Sequence, residues 1–355
     1  PSSIPSAVMS GRSAPSSSDL RTICRKARAT PTKRACRDPS GGMVAAIEAE
    51  DLRKSYVERR LGRVRRTVRA LESVSFSIER GRMVVLLGPN GAGKTTTVRI
   101  LSTLLLPDGG TARVMGHDVV RETREVRRAI GVMLDPEKGH FGRLTGLENL
   151  IFYGVLHGLT RSDARARGIR LLEEFGLGEA KDRPVEGYSK GMKARLAICR
   201  VLIHEPEVLI LDEPTAGLDP ISAREVRERL RGLRREGRTV LVTTHNLWEA
   251  EELSDRLIVL NRGRVVAEGS PEEVKRAFGL SWSVELEVSG DVRGLRLGWE
   301  TELGVSERGR TLLRVQIRED PAELVPVILS ELRSRGVQVL SVSVREPTLE
   351  EAFVR

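Results

Sequence analysis

From residue 43 onward the apolar positions follow two periods. "MVAAIEAEDL" (43–52) and "SVSFSIERGRMVVLLG" (73–88) alternate or run continuously apolar, which predicts strands. The basic stretch between them, "VERRLGRVRRTVRA" (57–70), predicts a solvated loop. Residues 121–180 turn helical in spacing, in "LTGLENLIFYGVLHGL" and again in "ARGIRLLEEFGL". From 188 the order is a helix, the strand "EVLILD", the helix "ISAREVRERLRGLRREG", the strand "RTVLVTTH", a helix, and the strands "RLIVLNRG" and "RVVAEG". Strands alternating with helices predict a layered α/β domain on a central, largely parallel sheet. Beyond about 280 the pattern becomes "SVELEVSG", "TLLRVQI", "PAELVPVILSELRSRG" and "VQVLSVSV", strands around one helix. That predicts a small C-terminal α+β appendage. The expected division is a tail over 1–42, a nucleotide-binding domain over 43–280 and an accessory domain over 281–355.

The strand "MVVLL" runs into Gly88-Pro89-Asn90-Gly91-Ala92-Gly93-Lys94-Thr95, and helical spacing follows. This is G-x-x-x-x-G-K-[ST] in its strand–loop–helix setting. Residues 88–93 let backbone N–H groups converge on phosphate oxygens. Lys94 supplies charge for the β- and γ-phosphates, the Thr95 hydroxyl is a Mg²⁺ ligand, and Thr96 completes the loop. The chain is expected to bind a nucleoside triphosphate.

A second phosphate-like site follows at Tyr188-Ser189-Lys190-Gly191-Met192, where a hydroxyl and a glycine open a helical pattern. The strand "EVLILD" then delivers Asp212 and Glu213 at its C-terminal end, where ligands collect in α/β sheets. Asp212 suits a Mg²⁺ site and Glu213 suits polarising water, although two carboxylates there also cap turns. His245 ends "RTVLVTTH" near the same sheet edge, placed to sense a γ-phosphate. Tyr56 could stack on an adenine face or simply pack at an edge.

In this order, the P-loop, the Ser-x-Gly helix start, the Asp-Glu strand, "AGLD" and the strand-terminal His resemble the ATPase domain of ABC transporters over residues 44 to about 275. "YSKGM" stands where that family carries its signature, and with "LTGLENL" and "REPTLEEAF" it resembles the drug-resistance exporter subgroup. The resemblance implies an α/β P-loop ATPase domain with a helical subdomain. It implies ATP and Mg²⁺ as cofactors, Glu213 and His245 as catalytic residues, and Thr95, Asp212 and Asp135 on the metal. It also implies a head-to-tail dimer, as a homodimer or with a second ATPase subunit. There Ser189, Lys190, Gly191 and Met192 face the partner's ATP and Asp219 lies on the seam. A separate polytopic membrane permease would do the transport, with this chain on the cytoplasmic face of the membrane. An importer ATPase and a soluble, non-transport ABC ATPase are the alternatives. One departure stands out: no glutamine precedes Gln316, so Asp135 is assigned the place of the family's Q-loop glutamine, with Glu137 the alternative.

Charge changes this picture little. The net charge is +10, but residues 1–42 hold eight Lys/Arg against Asp19 and Asp38. The excess is concentrated in a tail, so no nucleic-acid partner is expected. That tail, rich in Ser, Pro and Arg, reads as disordered, and an over-extended gene start is preferred to a targeting role. Cys24, Cys36 and Cys199 offer neither a disulfide framework nor metal-ligand spacing, which suits a reducing compartment.

Overall fold

A computed structural model describes residues 45–60, 63–279, 281–289, 292, 299–305, 310–317 and 320–350. The 1–42 tail and the end of "REPTLEEAF" lie outside the described residues.

Two kinds of strand build the first sheet, and their burial patterns follow from their neighbours. In β2 (Arg63–Glu79), Val74, Phe76 and Ile78 are buried while Ser73 and Ser75 are exposed, so one face meets a core and the other water. It pairs antiparallel with β1 (Ala45–Arg60). By contrast β3 (Met83–Leu87), β7 (Val208–Asp212) and β8 (Thr239–Thr244) are buried at every position, as parallel strands covered on both faces must be.

The chain order continues with α1 (Lys94–Leu101), β4 (Gly109–Val114), β5 (His117–Asp118), α2 (Thr123–Ala129) and β6 (Ile130–Met133). Then come α3 (Gly146–Leu156), α4 (Arg161–Glu174) and α5 (Lys190–Leu202), with α6 (Pro220–Arg235) after β7 and α7 (Leu247–Leu253) after β8. β9 (Arg256–Asn261), β10 (Arg264–Gly269) and α8 (Pro271–Ala277) close this part. The ten strands lie in the order β5-β4-β1-β2-β10-β9-β3-β8-β7-β6. Alternate residues of the central strands serve two cores. Met83, Val85, Leu87, Leu209, Leu211, Val240 and Val242 face one, and Val84, Leu86, Val208, Ile210 and Leu241 face the other. The first core is capped by α3, α4 and α5, where Gly154 of α3 lets Ala164 of α4 approach closely.

The expected basic loop over 57–70 is instead the tip of the β1–β2 hairpin, paired out to Arg60 and Arg63. A two-stranded ribbon with water on both faces needs no apolar alternation, and Val57 and Val68 are indeed exposed. The short strands β4, β5 and β6 lacked a periodic signal of their own.

The C-terminal elements are β11 (Trp282–Ser289), β12 (Glu300–Val305), β13 (Thr311–Ile317), α9 (Pro321–Ser334) and β14 (Gln338–Arg345). They form a four-stranded antiparallel sheet, order β12-β13-β11-β14. Val284, Leu286, Leu313 and Val315 pack with Ile328 and Leu332 of α9 in a third core. The segment after β14 returns to the elements around the ten-stranded sheet. Leu349 is fully buried in the first core, and the buried Lys275 ammonium joins Glu251 of α7 and Glu346, the latter at 2.8 Å.

Candidate functional site: a phosphate loop facing a carboxylate–histidine pair

Register alone assembles the site. β3 and β8 pair Leu87 with Thr244, and β7 and β8 pair Asp212 with Thr243. Gly88, Asp212, Glu213 and His245 therefore emerge side by side at one end of the parallel strands, where an α/β sheet places its ligands.

The loop between β3 and α1 curls tightly. A Cβ on Gly88 would overlap the Leu260 carbonyl oxygen, so only glycine lets the loop lie against β9. Gly91 has φ +80°, a conformation costly for other residues, and faces open space. Pro89 O accepts from Ala92 N–H at 3.1 Å, which closes the turn around the exposed Asn90. The N-cap of α1 is Gly93, with no capping side chain, so the first N–H groups of the helix remain available to an anion. Lys94 turns back and donates to Gly88 O at 2.8 Å and Pro89 O at 3.3 Å. Its ammonium is 3.4 Å from Glu213 Oε1. Burial pushes its pKa below the usual lysine range, against the pull of Glu213 and Asp212. Thr95 is exposed at the start of α1. Thr96 Oγ1 lies 3.4 Å from Tyr56 Oη, which puts the half-exposed Tyr56 ring beside the loop, on β1 rather than in an edge loop.

Glu213 joins the loop to the histidine. Its Oε2 is 3.1 Å from His245 Nδ1. Its backbone sits at φ +49°, which costs roughly 1–2 kcal/mol for a residue with a Cβ. The N–H at that position donates to both Thr243 O and Thr243 Oγ1, each at 3.1 Å, which holds the strained geometry. The Thr243 hydroxyl in turn donates to Asp212 Oδ1. Asp212 is buried, Glu213 is partly exposed and His245 is half exposed, so a chain of polar groups leads from the sheet to solvent.

The second phosphate-like site opens α5. Ser189 is its N-cap, accepting from Met192 N–H at 3.2 Å. Lys190 is exposed and 3.1 Å from Glu137. Gly191 is buried against the start of α6: a Cβ there would overlap Ser222 Oγ and lie 2.7 Å from Ser222 Cβ. Asp219 caps α6, its Oδ1 accepting from Ile221 and Ser222 N–H at 3.1 and 3.0 Å. These bonds hold its pKa below the ordinary carboxylate value. The signature and the Asp219 turn are thus packed on one another within the chain.

Asp135 engages its own turn. Oδ1 accepts from Glu137 N–H at 2.9 Å and Oδ2 is 3.0 Å from Lys138 Nζ. Burial raises its pKa, but these partners prevail and leave it lowered. No hydrogen bond among the described residues ties it to Thr95 or Asp212. Glu137, the alternative, pairs with Lys190 of the signature.

Two groups of residues at this site were not singled out in the sequence. Thr243 orients both Asp212 and Glu213, and its signal was its place two positions before His245 in "TTH". Glu249 is 2% exposed and accepts from the hydroxyls of Thr215 and Thr244. In sequence it looks like the N3 residue of an ordinary cap, which concealed it.

Residues 71–216 match the family model described as ABC transporter. The daunorubicin/doxorubicin resistance ATP-binding protein DrrA of Streptomyces peucetius is 41% identical over 313 residues, covering 87% of this chain and 91% of that protein. The linearmycin resistance ATP-binding protein LnrL of Bacillus subtilis is 33% identical, covering 87% and 97%. Among solved structures, the dimeric post-hydrolysis state of the ATP-binding cassette MJ0796, bound to ADP and Pi, is similar with a TM-score of 0.57 at 26% identity. It covers 63% of this chain and 98% of that one. A buried lysine held in a phosphate loop, facing a carboxylate that a histidine also contacts, is the equipment such cassettes need, and the chain belongs to the ATP-hydrolysing subunits of the ABC transporter family.

Proposed function

We propose that this chain hydrolyses ATP in a head-to-tail dimer and so drives export through a separate, polytopic membrane subunit at the cytoplasmic face of the membrane. The observation that carries the hydrolytic part is Glu213, which contacts Lys94 through one oxygen and His245 through the other. With nucleotide bound, Lys94 exchanges its carbonyl acceptors for phosphate oxygens, and the loop N–H groups at 88–93 hold the same phosphates. Glu213 is then free to orient a water for in-line attack, and His245 steadies that carboxylate while contacting the γ-phosphate. Tyr56 stands where an adenine face would stack. Mg²⁺, which in such sites shields the charge between phosphates, would be held by Thr95 and Asp212. A hydroxyl and a carboxylate are the oxygen donors it favours alongside phosphate and water. Asp135, with both oxygens engaged in its own turn, would join them only by exchanging Lys138 for the metal.

Ser189, Lys190, Gly191 and Met192 would meet the ATP held by the second subunit, with Asp219 on the seam between them. Two features support this reading. The exposed α5 N-terminus carries Lys190, whose ammonium pairs with Glu137, and the solved cassette of similar fold is dimeric. A homodimer is the simplest arrangement. Among the described residues no helix is long and apolar enough to cross a membrane, so transport calls for another subunit. Phe141, Phe152, Val155 and Leu156 are all 44% exposed or more, and the two rings meet edge to face at 4.8 Å. This apolar patch on the helical subdomain suits docking to that subunit. The names of DrrA and LnrL tie those relatives to drug resistance, which favours export over import for this chain. The division into an ATPase domain over 43–280 and an accessory domain from 281 accords with the two separate sheets.

Glu213→Gln tests the hydrolytic core. ATP binding is expected to persist while turnover falls by two orders of magnitude or more. Wild-type turnover would remove Glu213 from the reaction.

A further inference from the structure

Glu249 is a buried acid that the mechanism above does not use. It lies on α7, only 2% exposed, and among the described residues no cation pairs with it. Burying a carboxylate is costly unless its oxygens are hydrogen-bonded. Here each oxygen has one hydroxyl. Oε1 accepts from Thr215, two residues beyond Glu213, and Oε2 accepts from Thr244 at 2.6 Å, one residue before His245.

The local pattern reads as a helix cap, but the bonds run elsewhere. Asn246 caps α7 by accepting from Glu249 N–H at 3.1 Å. In a capping box the N3 acid would return to the Asn246 N–H. That N–H instead donates to Thr244 Oγ1 at 3.1 Å, which leaves the carboxylate free to bridge. Successive strand residues point to opposite faces, so Thr243 serves Asp212 and Glu213 while Thr244 serves Glu249. The turn that Thr215 enters also leads to Asp219: Ala216 N–H donates to Glu213 O and Leu218 N–H to Thr215 O, at 3.1 and 3.2 Å.

We propose that Glu249 is a positioning residue. Its two hydroxyl bonds fix the Glu213–Asp219 turn to the His245-bearing strand end, so that the water-orienting acid, the histidine and the seam residue keep one relative geometry through the ATPase cycle. The inference rests on the hydrolytic reading of Glu213 and His245. It requires only hydrogen bonds joining this position to Thr215 and Thr244, not a proton transfer.

The test uses the full chain with Glu249→Leu and Glu249→Gln, reading steady-state kcat and KM, ATP affinity and thermal stability. Leucine fills the space without hydrogen bonds. Glutamine keeps both, with its oxygen accepting from one hydroxyl and its amide donating to the other. Expected are a fall in kcat of at least tenfold for Glu249→Leu, a change in ATP Kd of less than threefold, and recovery to within threefold of wild type in Glu249→Gln. In a His245→Ala background, Glu249→Leu should lower kcat no further. Unchanged kcat in Glu249→Leu overturns the proposal. So does a Glu249→Gln variant as impaired as the leucine one, or a kcat loss that only follows loss of folded protein. Should Glu249→Leu fail to fold, Thr215→Val and Thr244→Val each remove one bond; both are expected to lower kcat severalfold, and wild-type kcat in both overturns the proposal. Glu213→Gln measured alongside separates the two ideas. Turnover lost there but kept in Glu249→Leu rejects the bridge alone, whereas turnover kept in Glu213→Gln rejects the hydrolytic reading beneath it.

Discussion

Two glycines of the phosphate loop are required for different physical reasons, and alanine substitution separates them. At Gly88 an added Cβ overlaps the Leu260 carbonyl oxygen and lies 3.1 Å from Ala92 Cβ and 3.2 Å from Leu260 C. The obstacle is the backbone of β9, a strand paired to β3 and β10, so no rotamer change relieves it. Overpacking costs about 1–3 kcal/mol, and a backbone obstacle puts this site at the upper end, about 3 kcal/mol. At Gly91 the added methyl meets nothing within 4 Å, but φ is +80°. The cost there is torsional, about 1–2 kcal/mol. At roughly 2–4 °C per kcal/mol for a domain of this size, Gly88→Ala should lower Tm by about 6–12 °C and Gly91→Ala by about 2–8 °C. Differential scanning calorimetry without nucleotide on matched samples gives the order. Nucleotide titration should also show Gly88→Ala failing to bind ATP, because a loop pushed off β9 misplaces Lys94 and the N–H groups that would hold the phosphates. A wild-type Tm for Gly88→Ala, or a larger loss for Gly91→Ala, would refute the reasoning.

Three further outcomes follow from particular contacts. Burial pushes His140 down to about 4, aided by the Arg200 charge, so between pH 6.5 and 4 the unfolded chain binds a proton that the native ring refuses. The stability this ring provides is complete above pH 6.5 and is lost on acidification, at no more than about 1.4 kcal/mol per pH unit and less for its residual water contact. His140→Gln should flatten the Tm profile between pH 7 and 5, and an unaltered slope would contradict this. Leu349→Ala opens a hole in the first core and should cost about 2–4 kcal/mol, read as a lower denaturation midpoint; no change would mean that the terminal segment does not dock in solution. Asp135→Asn should weaken the Mg²⁺ dependence of turnover while sparing nucleotide binding, if Asp135 takes the Q-loop place. An unchanged Mg²⁺ titration would leave Glu137 or no substitute.

Much of the site was legible because its residues occupy fixed places relative to strand ends. An apolar run before Gly88, another before Asp212 and a third before His245 announce three parallel strands, and adjacent parallel strands bring their C-terminal ends together. What sequence concealed was lateral. Which side of the β8 end each threonine serves depends on pleat and register, and Thr243 and Thr244 look alike as letters. Glu249 resembles a capping acid, and only the three-dimensional position of Thr215 shows that it bridges. The tip of the β1–β2 hairpin was missed because a ribbon wet on both faces has no buried side to pattern. Gly191 reads as a phosphate contact, yet its lack of a side chain is also demanded by Ser222 of α6.

That last contact decides how the shared site should be tested. A charge at Gly191 would break the packing of α5 on α6, so a defect there would not isolate the signature. Ser189→Asp is cleaner: aspartate caps a helix as well as serine does, while placing a negative charge against the partner's phosphate. Lys94→Ala disables the phosphate loop. Each variant alone should fail to occlude ATP. In a mixture, half of the dimers combine one of each, and these contain one site with both lesions and one with an intact loop and an intact signature. The measurement is slowly exchanging ATP retained per heterodimer after a chase with excess unlabelled ATP, with heterodimers quantified by differential tags. Head-to-tail sharing predicts about one ATP occluded per heterodimer where neither parent holds any; heterodimers that form but occlude none would contradict it.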